Sequence, residues 1–271
     1  MATIRELSQQ AEPWFFAVGL FKPHLPFAAP KRYFDRHDPE RIPALEAAAA
    51  ARPAWPSSWH GSGEFRGNYG HGGRDPAMDA EYARRLRHAY AASVSYVDAQ
   101  VGRVLDALRA SGRERDTIVI VWSDHGFLLG EHGIWGKHCL YEHALRSPLL
   151  IRHPGLPEPG RTSAAIVETV DLFPTLVELC GLPTPEGLDG RSLGPQLRDP
   201  TAPGTKPAAA FWTGGQRTVR TDRWRLIVDR AGERVELFDY QTDPDEARNH
   251  AAEHPEVVRE LRALLEPLPQ P

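Results

Sequence analysis

Two apolar runs that never alternate, "WFFAVGLF" (Trp14 to Phe21) and "TIVIVW" (Thr117 to Trp122), constrain the fold of this chain most. A strand with one wetted face alternates apolar and polar residues. An unbroken apolar run of strand length suits a strand covered on both faces, as in a parallel sheet. "SPLLIRHPG" (Ser147 to Gly155) reads as a third strand. Around the second run, "DAEYARRLRHAYAASVSYVDAQVGRVLDALRASG" sets Tyr82, Leu86, Tyr90, Val94, Val97, Val101, Leu105 and Leu108 at three- and four-residue steps. That period predicts a long helix, stopped at Gly112. "TVDLFPTLVELCG" predicts another helix ending at Gly181, and Ile4 to Gln10 a short one. This alternation predicts an α/β fold, a mainly parallel central sheet flanked by helices.

After about Pro200 the pattern changes. "AAAFW", "RTVRT", "WRLIVD" and "ERVELFDY" are short strand-like runs between turn residues, as in an antiparallel sheet. "HPEVVRELRALLEPL" follows as a terminal helix whose stripe is Val257, Val258, Leu261, Leu264 and Leu265. The expected division is therefore an α/β domain over residues 1–200 and a smaller antiparallel subdomain with a terminal helix over 201–271. From Asp35 to Asp75 the chain is rich in Pro, Gly, Ala and Trp without a period. A loop of that length inside a domain is functional or disordered as a rule. Trp55, Trp59 and Arg66 there would serve equally as a carbohydrate-facing wall or as packing of the loop.

The bulk properties exclude several functions. A formal net charge of −4, with no block of lysine or arginine to offset it, argues against electrostatic binding of nucleic acid. No stretch reaches about 18 consecutive apolar residues, so no membrane span is expected. Two cysteines, Cys139 and Cys180, make no disulfide framework and no C-x-x-C pair; both read as small buried or loop residues. The first residues show no basic n-region and no signal-type apolar core. They read as the middle of a domain does, so upstream sequence is expected.

The chemistry concentrates in "SDHGFLLGEHGIWGKH", residues 123 to 138, directly behind "TIVIVW". Ligands of open α/β sheets bind at the carboxyl ends of strands. Asp124 and His125 emerge there, and Gly126 lets the backbone turn sharply. An adjacent carboxylate and imidazole suit one divalent cation. The other reading makes Asp124 a turn cap and His125 a surface residue. Gly130, Gly133 and Gly136 predict a tight ordered loop rather than a helix. Lys137 would offer positive charge to a tetrahedral oxyanion, as sulfuryl and phosphoryl transfer require, or else stand solvated on the surface. At the end of the first apolar run, Lys22 and His24 sit in "KPHLPFAAP", and prolines fix the backbone around His24. His60, His71, His88, His250 and His254 read as surface residues.

Taken together, "FFAVGLFKPHLPF", "YAASVSYVDAQVGRVLDAL", "SDHGFLLGEHGIWGKH", "SPLLIRHPG", "DLFPTLVELCGLP", "LDGRSL" and "RTDRWRLI…ELFDYQTDPDEARN" resemble the sulfatase family of the alkaline-phosphatase superfamily, in its iduronate-2-sulfatase-like branch. The likeness covers nearly the whole chain. It implies an alkaline-phosphatase-like fold and a sulfuric-ester hydrolase acting on a small-molecule or carbohydrate sulfate ester. It implies a divalent metal, most often Ca2+ with Mg2+ or another ion as alternatives, held in part by Asp124 and His125. It makes Lys137 and His24 the catalytic contacts to sulfate, with Lys22 a supporting charge. Glu131 and His132 would shape the loop. Many sulfatases carry Asn at the position of His125, and imidazole is not a hard oxygen ligand for calcium.

The family nucleophile is a formylglycine made within C-x-P-S-R or C-x-A-x-R. Neither "CLYEH" at Cys139 nor "CGLPT" at Cys180 fits, and no serine begins the equivalent motif. The aspartate pair that completes the family's metal site is also absent. The expectation is the C-terminal half to two-thirds of a sulfatase, inactive by itself. Two alternatives stand beside it. One is a metal-dependent phosphodiesterase or phosphomutase of the same superfamily; the other is a non-catalytic, degenerate sulfatase-like protein.

Overall fold

The structure is a computed structural model, and it describes residues 1–45, 50–53, 57–69, 71–156, 159–204, 206–212 and 214–266. Trp55, one aromatic of the expected wall, lies outside them. The chain divides into two compact units, Met1–Glu46 with Ser62–Ile118, and Ala47–Gly61 with Val119–Pro271.

The first unit is helical. It holds α1 (Ala2–Leu7), α2 (Lys31–Phe34), α3 (Gly63–Asn68) and the long α4 (Ala80–Ala110). Asp79 caps α4 by accepting from the Tyr82 amide at 2.9 Å, and Gly112 at φ +78° follows its end. The long helix falls where its period predicts, but its stripe is less deeply covered. Ala92 and Ser93 are fully buried, whereas Val94 is exposed. Aromatic residues pack on this helix: Phe27 meets Tyr90 edge-on at 5.3 Å, and Tyr33 of α2 meets Tyr96 at 5.3 Å.

Trp14–Phe21 forms no strand among the described residues, which corrects the first expectation. An apolar run becomes a strand only when a neighbour takes its N–H and C=O groups, and no described segment pairs with this one. Its side chains stand out accordingly, Phe15 at 81% and Phe21 at 66% exposed.

After Ala47–Gly61, the second unit resumes with β1 (Val119–Trp122), and the glycine-rich stretch follows as a hairpin of β2 (Leu128–Leu129) and β3 (Trp135–Gly136). Then come α5 (Glu142–Leu145), β4 (Leu149–Arg152), α6 (Leu172–Leu179) and α7 (Gly194–Arg198). β1 pairs with β4 antiparallel, Val119 opposite Arg152 and Trp122 opposite Leu149. Trp122 and Leu150 are exposed, so this pair is not covered on both faces within the described residues.

Past Pro200 the expected antiparallel sheet is present: β5 (Ala208–Phe211), β6 (Arg217–Arg220), β7 (Trp224–Val228) and β8 (Val235–Asp239) pair in sequence order. The terminal helix is α8 (Pro255–Leu265). Leu261 and Leu265 pack with Val219, Leu226, Val228 and Leu237, while Leu264 of the expected stripe is exposed. A second core joins the hairpin to this sheet through Leu128, Ile134, Leu140, Tyr141, Ile227 and Phe238. Burying that apolar surface fixes where the ends of the hairpin stand.

Candidate active site

Asp124 and His125 follow β1 directly, and their ligating atoms converge. His125 Nε2 lies 3.5 Å from Asp124 Oδ2. The other ring nitrogen, Nδ1, is 2.7 Å from the Gly126 carbonyl oxygen, which leaves Nε2 toward the carboxylate. The Ser123 hydroxyl donates to the His125 carbonyl at 2.9 Å, and the His125 amide donates to Asp124 Oδ1 at 3.1 Å. Asp124 is largely exposed and His125 half-buried. A carboxylate oxygen and an imidazole nitrogen this close suit two cis positions on one cation. The pair thus offers two donors that fit one cation, and no third His, Cys, Asp or Glu joins it among the described residues.

Gly126 is required by a close approach. Its amide donates to the Ala144 carbonyl at 2.7 Å, and a Cβ there would stand 2.1 Å from the His143 carbonyl oxygen. The bare backbone thus packs on α5 and holds the Asp124–His125 turn in place through main-chain contacts.

Lys137 and His138 follow β3, where the next amide, of Cys139, donates to the Lys137 carbonyl at 2.9 Å. His138 stacks on Trp212 with ring centroids 5.1 Å apart. Lys137 is half-buried. The turn between β2 and β3 uses Gly130, His132 and Gly133, all at positive φ. Glu131 Oε2 accepts from the Leu129 amide at 2.5 Å, and the His132 carbonyl accepts from Trp59 Nε1 at 2.9 Å. His132 is buried and stacks on Tyr141 at 4.2 Å. Burial, helped by the nearby His143, pushes its pKa down to about 4. Glu131 and His132 thus shape the loop. Trp59 is part of the same packing, with the Arg52 guanidinium 3.5 Å above its ring, and Arg66 pairs with Asp75 at 2.8 Å.

Sequence reasoning missed a buried charged network behind the motif. Arg225 of β7 donates to Glu142 and to the Tyr240 hydroxyl, and forms an ion pair with Glu246 at 2.9 Å. Tyr240 donates to Glu246 at 2.5 Å, and the Glu142 amide donates to Glu246 at 2.8 Å. Beside it, Glu236 of β8 accepts from Tyr141 at 3.2 Å and from the Ser57 amide at 2.8 Å. Burial pushes both the Glu236 and Glu246 carboxyls up; hydrogen bonds from Ser57 oppose this at Glu236, and the Arg225 guanidinium opposes it at Glu246. The available signal was a charge inside each apolar run, in "WRLIV" and "VELFD".

In the first unit, Lys22 Nζ donates to the carbonyls of His24 at 3.1 Å and Pro26 at 2.5 Å. Burial pushes its pKa down. His24 Nδ1 is 2.8 Å from the Leu25 carbonyl oxygen, and Nε2 is 3.4 Å from Glu64 Oε1. Lys22 ties the loop together, and His24 carries the ring that the loop orients. Of the histidines expected at the surface, His60, His71, His88 and His254 are half-buried and His250 is buried. His250 escapes solvent because its turn is hydrogen-bonded against β8.

The model of the sulfatase family matches residues 2–182, and that of the N-sulphoglucosamine sulphohydrolase C-terminal region matches residues 130–270. A sulfatase of Formosa agariphila is 33% identical over 272 residues, covering 94% of this chain and 50% of the relative. Iduronate 2-sulfatase of Homo sapiens is 34% identical over 211 residues, covering 67% and 38%. Among solved structures, the phosphonate monoester hydrolase of Agrobacterium radiobacter superposes with a TM-score of 0.79 at 29% identity, covering 97% of this chain and 58% of that one. A protein solved with its substrate D-glucosamine-2-N,6-O-disulfate gives 0.65 at 32%, covering 75% and 43%. This chain spans about half the length, or less, of the curated relatives it matches. The fold is the α/β fold of the alkaline-phosphatase superfamily, and the chain belongs to the sulfatase family.

Proposed function

We propose that this chain is part of a sulfuric-ester hydrolase of the iduronate-2-sulfatase-like branch, acting on sulfated carbohydrate. The observation that carries the reading is the convergence of Asp124 Oδ2 and His125 Nε2 at the end of β1, on a turn where Gly126 is sterically required. Asp124 and His125 would hold a divalent cation, which when bound would draw negative charge from a sulfate oxygen. Calcium is the ion the family favours, and the imidazole donor also suits a borderline metal. Lys137 would contact sulfate as a fixed positive charge, and His24 would face a sulfate or leaving-group oxygen. Lys22 acts through the loop that carries His24. The carbohydrate class is supported by the disulfated glucosamine bound to one structural relative and by the iduronate of another relative's name.

No residue here lies in a formylglycine motif. The chain by itself is therefore expected to release no sulfate, and metal-dependent release by these 271 residues would overturn that. The functional test uses the product of the whole reading frame that contains the chain. Sulfate release from an aryl sulfate is compared with cleavage of a bis-aryl phosphate under the same metal. Faster sulfate release, lost in Asp124→Ala, supports the proposal, and faster diester cleavage overturns it. A second reading, hydrolysis of phosphate diesters or phosphonate monoesters, is favoured by the TM-score of 0.79 to a phosphonate monoester hydrolase.

A further inference from the structure

We propose that His250, Glu253 and His254 bind one borderline transition-metal ion of the zinc class, on the turn that leads into α8. One ligand atom from each of the three lies within 4.8 Å of the other two. Zinc holds imidazole nitrogen and carboxylate oxygen at about 2.0–2.2 Å, so tetrahedral ligands stand roughly 3.3 Å apart. His250 Nδ1 and Glu253 Oε2 are already 3.3 Å apart, and the two imidazole centroids are 6.3 Å apart.

The backbone of the turn is set before any ion arrives. The Glu253 and His254 amides both donate to the His250 carbonyl, at 3.0 and 3.2 Å. That helical spacing puts residues i and i+4 on one face. The turn is tied to β8 as well. The His250 amide donates to the Leu237 carbonyl at 2.8 Å, and Asn249 accepts from the Leu237 amide at 3.0 Å and donates to the Val235 carbonyl at 2.8 Å. Glu256 Oε1 lies 3.4 Å from His254 Nδ1, where it would orient the ring and leave Nε2 for the metal. Trp224 supports the same ring at 5.1 Å. Arg248 pairs with Glu253 Oε1 at 2.5 Å, which leaves Oε2 on the side of His250.

Two nitrogen donors of three select zinc, nickel or copper over calcium and magnesium. The sequence carries the same signal as the spacing His-x-x-Glu-His, which none of the sulfate-directed residues uses. An ion there would clip the segment after β8 to the start of α8.

The test titrates the 271-residue chain carrying His125→Ala, so that Asp124 and His125 do not compete. Zn2+, Co2+ and Ca2+ are added separately, followed by calorimetry, cobalt visible absorption and thermal melting. The expected result is one equivalent of Zn2+, a cobalt spectrum of low coordination number, and a rise in Tm with Zn2+ but not Ca2+. His254→Ala and the exposed Glu253→Gln, both with unchanged circular dichroism, should weaken Zn2+ binding by about 10–100-fold or more. Failure of the folded chain to bind Zn2+ saturably overturns the proposal. So does equal affinity in His254→Ala.

Discussion

Arg225 Nε lies 2.9 Å from Glu246 Oε1, with both side chains almost wholly buried. The bond joins the middle of the antiparallel sheet to the loop behind it, and Glu246 passes the connection to α5 through the Glu142 amide. Removing one partner of such a pair leaves a charge stranded in the interior. Arg225→Met should therefore lose about 3–5 kcal/mol of stability. Lys31→Met, at a pair with Asp35 that is mostly in water, should leave the urea midpoint unchanged. Equal midpoints for the two variants would show that the buried network does not support the fold.

Acid should weaken the fold through His132. Its folded-state pKa is about 4, against an ordinary 6.5, so between those values the unfolded chain binds the extra proton. Stability from this residue is complete above pH 6.5 and is lost as pH falls toward 4. The full contribution is on the order of 3 kcal/mol. The buried carboxyls Glu236 and Glu246, both raised, act in the opposite sense and bend the profile of the native protein. Comparing the chain with His132→Asn isolates the histidine, because Asn tolerates the positive φ of 52° at this position. The difference in stability between the two proteins should change from pH 7 to pH 4.5, and a constant difference sinks the assignment.

On the proposed role of Lys137 as a sulfate contact, Lys137→Ala in the product of the whole reading frame should lower kcat by about 10²–10³, the cost of one lost oxyanion contact. Lys22→Ala should act less, through disorder of the loop that its Nζ ties at His24 and Pro26. Steady-state rates on an aryl sulfate separate the two. A larger loss for Lys22→Ala would reverse their roles.

How much of this was legible depended on how local the signal was. The helix over Ala80–Ala110, the four C-terminal strands and the terminal helix follow from periods of 3.6 and 2, which neighbours in sequence determine. The tight loop at Gly130 and Gly133 was legible because only glycine takes their φ freely. Trp14–Phe21 was not, because apolar composition states that a segment wants a partner and not whether one is present. The Arg225–Glu142–Glu246 network was illegible for a related reason: its members stand up to 104 residues apart, and a charge in an apolar strand names no partner.

The isolated chain should self-associate. Phe15, Phe21 and Leu150 are each more than 60% exposed, and apolar side chains grouped in open backbone segments recruit other surfaces. Sedimentation velocity should show species heavier than 30.2 kDa that grow with concentration, accompanied by a broad melt. A monomer with a sharp two-state transition would refute this.

Gly126 and Gly102 should respond to alanine in opposite directions. At Gly126 the added Cβ would lie 2.1 Å from the His143 carbonyl oxygen, so the turn carrying Asp124 and His125 must move off α5. Overpacking of that kind costs about 1–3 kcal/mol, and the main chain cannot yield as a side chain does. At Gly102, inside α4, the Cβ meets nothing within 4 Å, and alanine should add about 0.5–1 kcal/mol through helix propensity. Urea unfolding of the two variants measures both signs. Because Gly126 neighbours the proposed ligand pair, its alanine variant should also weaken the proposed cation binding at Asp124 and His125, measured in a His254→Ala background. A Gly126→Ala protein with native stability and unchanged cation affinity would show that the turn's position does not depend on the bare backbone there.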